Sequence, residues 1–233
     1  MLVIIHGNIK TMEERDYKDG YVQVEHGKIT AIGDMKECAL ETLHAGSEVQ
    51  VINAKGNLVM PGIIEAHCHM GITEEKKGME GDDCNENVAA VTPWLRAIDA
   101  INPMDDAFHD ALKAGITSAM IGPGSSNVVG GQFAFLKTHG RCVDQMIVKA
   151  PAAMKVAFGE NPKVNYSGQG VSPVTRMSIA AQLREELYKA KEYEKKVREN
   201  PDTERDFRYE CWLPVLRREI PLKAHAHRAD DIL

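Results

Sequence analysis

Val59-Met60-Pro61-Gly62-Ile63-Ile64-Glu65-Ala66-His67-Cys68-His69 is an apolar, strand-like run that ends in two histidines two residues apart. Alternate residues of a strand share a face, so His67 and His69 aim both imidazoles at one point while Cys68 faces away. That is metal-ligand geometry, and it sits where the chain changes character, at about residue 60.

Upstream of this run the sequence is made of short β-rich pieces. They are Met1–Ile5, Tyr21–Glu25, a turn at His26-Gly27-Lys28, then Ile29–Gly33 and Glu48–Ile52, the pattern of a small β-sandwich. Downstream, strand-like and helical stretches alternate, the pattern of a parallel α/β architecture. Met104–Ala114 reads as a helix with Asn102 as N-cap and Pro103 at its first position, ended by Gly115. Ile116–Ile121, Phe133–Lys137, Met146–Lys149 and Ile220–Ala224 read as strands, and 174–199 and 204–218 as two helices parted by Asn200-Pro201-Asp202. The expected fold class is therefore α/β: a small β-sandwich over 1–58 followed by parallel α/β sequence over 59–233.

Composition narrows the function. The 233 residues are 43% hydrophobic and 27% charged, enough to bury a core. A formal net charge of -6 argues against a general nucleic-acid binder, which needs a basic face. The mixed charges of Arg184–Lys196 fall at helical spacing and read as a solvated face. Five cysteines, odd in number and never in a Cys-x-x-Cys pair, suggest reduced thiols rather than a disulfide scaffold or zinc knuckle. Met1–Ile5 is too short for a signal peptide or a membrane span, so a cytoplasmic location is expected by default. The loop Gly122–Gly131 lacks the Gly-Lys-Ser/Thr ending of a P-loop and the spacing of a dinucleotide site; it reads as a loop lining a pocket mouth. His109 and His139 have no neighbour at ligand spacing and read as ordinary core or surface residues.

Taken in order, Val24–Gly33, the linker Gly56–Gly62 and the Pro-Gly-hydrophobic-Glu-x-His-x-His run resemble the opening of the metal-dependent amidohydrolase superfamily. In that family a β-sandwich strand pair precedes a metal-binding (β/α)8 barrel. Glu65 stands where many members carry aspartate. Lys149–Lys155 and Leu222–His227 resemble the imidazolonepropionase-like branch, whose fifth barrel strand supplies a histidine.

The resemblance implies a hydrolase that cleaves a C–N bond, in a cyclic amide or by deamination, with metal-activated water acting on a small-molecule substrate. It implies one or two divalent ions, with Zn2+ the first expectation, although imidazole and carboxylate ligands also suit iron, manganese and nickel. The implied metal residues are His67, His69 and His225. His227 is either a ligand or a loop residue behind one, and Glu160 either a carboxylate ligand or a solvated loop residue. Some members carry a carboxylated lysine on the fourth strand; Lys149 and Lys155 both lie in that region, and a structural lysine is the alternative.

A (β/α)8 barrel takes about 250 residues, whereas about 170 remain here after the sandwich segment, so the barrel is expected to be incomplete, stopping after about its fifth strand. The family's sixth-strand histidine and eighth-strand aspartate, the general base, then have no counterpart, and no catalytic residue is assigned. A homo-oligomer, or a supplied carboxyl-terminal half, is expected to cover the open barrel. The alternative function is a non-catalytic metal-binding or assembly fragment.

Overall fold

The computed structural model describes residues 1–39 and 48–233. They form two compact units, Met1–Gly62 and Ile63–Leu233. In the first, β1 (Leu2–Ile9) pairs antiparallel with β2 (Tyr17–Glu25), which pairs antiparallel with β3 (Lys28–Asp34). The β2–β3 turn puts His26 at φ 50° and Gly27 at φ 74°, the two left-handed positions that a tight hairpin demands. On the other side of β1 lie β4 (Gln50–Asn53) and β5 (Leu58–Val59), both parallel to it. Val3, Ile9 and Val22 are buried. The described residues of this unit make a single sheet, where the sequence reading expects two layers.

The second unit is a five-stranded sheet in the order β10-β9-β8-β7-β6. Its strands are β6 (Ile63–Cys68), β7 (Ile116–Ile121), β8 (Val129–Lys137), β9 (Ile147–Ala157) and β10 (Leu222–His225). The outer pairs, β6–β7 and β9–β10, are parallel, but β8 runs antiparallel to both its neighbours. This departs from the all-parallel pattern, and connection length explains it. Residues 122–128 and 138–146 are too few for a parallel crossover, which needs a dozen or more, so β7, β8 and β9 form a meander. β8 and β9 are also longer than their apolar runs suggest.

Three helices of two turns or more cover the sheet: α1 (Asp106–Lys113), α2 (Glu160–Gly168) and α3 (Arg176–Glu199). The N-cap of α1 is Asp105, not Asn102. The Asp105 carboxylate accepts from Ala107 N and also from Gly71 N and Glu75 N at 3.1 Å, so long-range contacts fix the helix start. Asn102 instead accepts from Met104 N in a turn of its own. Gly115, at φ 84°, ends α1 as expected. Phe108 of α1 packs on Ala119, Ile121, Ala134 and Leu136. On α3, Ile179, Leu183, Glu186, Ala190 and Tyr193 are buried at three- and four-residue spacing, and its apolar members pack with Met154, Val156 and Trp212. The stretch 204–218 is two single turns, Phe207–Glu210 and Leu213–Leu216, with Pro214 in the second, rather than one helix.

Candidate metal centre

Strand parity decides which side chains meet. Met154 and Val156 pack in the α3 cluster, so Lys155 between them points to the opposite face of the sheet. The register pairs Lys155 with Lys223 and Ala157 with His225, placing Lys223 and His225 on that face as well. Cys68 packs against the α1 cluster, which turns His67 away from it and toward Phe133, at 5.2 Å between ring centroids. His67 and His69 lie edge to face with centroids 5.3 Å apart. Phe133 is the floor: the amines of Lys155 and Lys223 lie 5.8 and 5.2 Å from its ring centre. Gly122 makes this floor possible, because any Cβ there would run into the Phe133 ring. Its carbonyl in turn accepts from His69 Nδ1 at 2.7 Å, leaving Nε2 as the lone-pair nitrogen. Cys84 lies beside the same histidine.

The lower strand end holds a second group. His225 Nε2 is 2.9 Å from His227 Nε2, and His227 Nδ1 is 3.2 Å from Glu160 Oε2. Asn161 Nδ2 is 3.3 Å from His225 Nε2. Glu160 lies not in a loop but at the first position of α2, after Gly159 at φ 70°. Lys149 donates to Glu219 O at the exposed end of β9, away from the histidines, so only Lys155 of the two lysines faces them.

Lys155 is fully buried, and its Nζ has no hydrogen-bond partner among the described residues. Burial pushes this amine down to about 8, with Lys223 adding to the push and Cys84 opposing it. Burial, then the charges of Lys155 and Lys223, hold His67 at about 4, although one side of its ring is open to solvent that screens part of the effect. His225 is lowered by burial and by Lys155. His69 is raised, chiefly by Cys84 beside it. Three imidazoles, two of them held neutral, therefore surround an orphaned amine. Neutral imidazole nitrogens suit a divalent cation, and the orphan calls for a negative partner. No three His, Cys, Asp or Glu side chains among the described residues converge on one point, so the protein donors form two partial sets. The sequence reading passed over Phe133, Cys84 and Asn161; only the adjacency of Asn161 to Glu160 signalled any of them.

No family model matches the chain. It is 30% identical to Amidohydrolase tasK of Hapsidospora irregularis over 91% of its own length and 24% of that protein's. An imidazolonepropionase of Halobacterium salinarum is 28% identical over 45% of this chain and 25% of that protein. The crystal structure of an amidohydrolase from Thermotoga maritima MSB8 superposes with a TM-score of 0.90 and 38% identity, covering all of this chain and 60% of that one. The chain thus spans between a quarter and three fifths of these two amidohydrolases. With the histidine pair on β6, the histidine of β10 and a likeness that runs through both units, the chain belongs to the amidohydrolase superfamily, in its imidazolonepropionase-like branch.

Proposed function

We propose that this chain carries the ligand-bearing part of a metal-dependent hydrolase that opens a C–N bond in a small cyclic amide or removes an amine by hydrolysis. The observation that carries this reading is the buried, unpartnered amine of Lys155 among His67, His69 and His225. A bound divalent ion supplies Lewis acidity and a water whose pKa falls to about 7. His67, His69 and His225 are the proposed ligands, with Zn2+ the first candidate. The depressed values of His67 and His225 keep both imidazoles unprotonated at neutral pH, so neither must lose a proton to bind. Phe133 closes the floor against water, and the Gly122 carbonyl holds the His69 ring in one tautomer.

Lys155 has a further role in this reading. An amine held near 8 is partly neutral at physiological pH and adds to CO2, forming a new N–C bond and releasing one proton. The resulting carbamate would be an anion where the structure has an unsatisfied amine, and its oxygens would supply the negative donors that the histidines lack. Lys155→Ala is expected to lose metal, and short carboxylic acids added to that variant to restore part of it.

Metal content per chain tests the function. In protein purified without added metal, near-stoichiometric zinc that vanishes in a His67→Ala/His69→Ala variant supports the hydrolase reading. A folded wild-type sample without metal, and unable to take it up, overturns it.

A further inference from the structure

Helix α3 carries a row of exposed charges on one face: Glu185, Lys189, Glu192 and Lys196. Their spacing of four, three and four residues keeps them in one narrow stripe, because an α-helix turns once in 3.6 residues. The stripe borders a groove of about 630 Å³ whose other wall is formed by residues 203–209. Tyr188 and Phe207 line that groove with 68% and 69% of their surface exposed. A solvated helix face accounts for mixed charges, but not for two uncovered aromatic rings beside them. Aromatic side chains within a polar surround are the composition of a protein interface.

The order of the charges identifies the partner. Along the chain the signs run negative, positive, negative, positive. Turning the helix end over end about the midpoint between Ala190 and Lys191 exchanges Glu185 with Lys196 and Lys189 with Glu192, so the row is complementary to its own reverse. A slip of one turn sets Glu185 against Glu192, so the same pattern fixes the register. Within the chain Glu185 pairs with Lys189, whereas Glu192 and Lys196 make no ion pair among the described residues.

We propose that this face of α3 is the docking surface for a second copy of the chain. The two helices lie antiparallel across a two-fold axis, Glu185 meets the partner's Lys196, Lys189 meets the partner's Glu192, and each copy covers the exposed rings of the other. Such an interface is isologous and closes at two copies. It uses no residue of the histidine cluster and stands independently of the hydrolase reading.

The test uses the whole chain carrying Ile64→Lys and Leu222→Lys, so that association through the sheet edges is suppressed. With the native stripe, this chain is expected to sediment at micromolar concentration at twice the 25.8 kDa monomer. Adding Lys189→Glu with Lys196→Glu makes the stripe wholly acidic, and adding Glu185→Lys with Glu192→Lys makes it wholly basic. Each of these variants alone is expected to sediment at the monomer mass, and an equimolar mixture to return to the doubled mass as a one-to-one complex. Should either fail to fold, Tyr188→Ser with Phe207→Ser on the native stripe decides, with an expected weakening of association of about tenfold or more. A monomeric native stripe, a charge variant that still pairs with itself, a mixture that stays monomeric, or undiminished association without the two rings overturns the proposal.

Discussion

At the scale of single residues, Lys155 carries the most consequence. The folded state favours its neutral form, since its value of about 8 lies below the ordinary 10.5. Unfolded chains therefore bind more protons between these values, and stability rises with pH there. Metal-free protein in CO2-free buffer is expected to gain stability from about pH 8 to 10.5 and to show no Lys155 contribution to the slope below 8. Lys155→Met is expected to remove that gain and, at pH 7, to be more stable by about 1–3 kcal/mol while holding less metal. Urea unfolding across the pH range measures both. The pair His67 and His69 was legible from spacing alone, because strand parity is a local rule. Choosing Lys155 over Lys149 was not, because both fall on one face by parity; only the register and the closed inner end of β9 separate the buried amine from the exposed one.

At the scale of elements, the second unit depends on contacts that sequence patterns do not announce. Glu186, 3% exposed on α3, accepts two bonds from Arg208, at 2.7 and 2.6 Å, and a third from Trp212 Nε1. Glu186→Ala leaves the indole N–H unpaired, and a loss of about 2–3 kcal/mol is expected in thermal unfolding. Gly122→Ala sets a methyl against the Phe133 ring, and a loss of metal affinity larger than that of Gly168→Ala is expected, since Gly168 has open space around it and no positive φ. The strand and helix periods were read correctly over β1, β2, β3, β7 and α3. The reversal of β8 was missed because periodicity is blind to strand direction, and α2 was missed because Gly159 and Pro162 look like loop residues, whereas proline is tolerated in a first helical turn.

At the scale of the molecule, the sheet of the second unit ends in two edge strands, β6 and β10, and these carry the histidines. Ile63 and Ile64 on β6 and Leu222 on β10 are exposed. Unpaired edges with apolar side chains invite pairing with another chain. Sedimentation at micromolar concentration is expected to show species heavier than the 25.8 kDa monomer, and Ile64→Lys with Leu222→Lys to shift them toward it. The meander has a consequence for the order of folding. Pairings among β7, β8 and β9 join neighbours in the sequence and close short loops, so they cost the least chain entropy and form early. The strands bearing His67 and His225 dock onto that nucleus across long intervening segments, and their amides should exchange with solvent before those of the centre. If the proposed ion binds both histidines, it would work as a late clasp, tying the first and last strands of the sheet together and slowing unfolding more than it speeds folding.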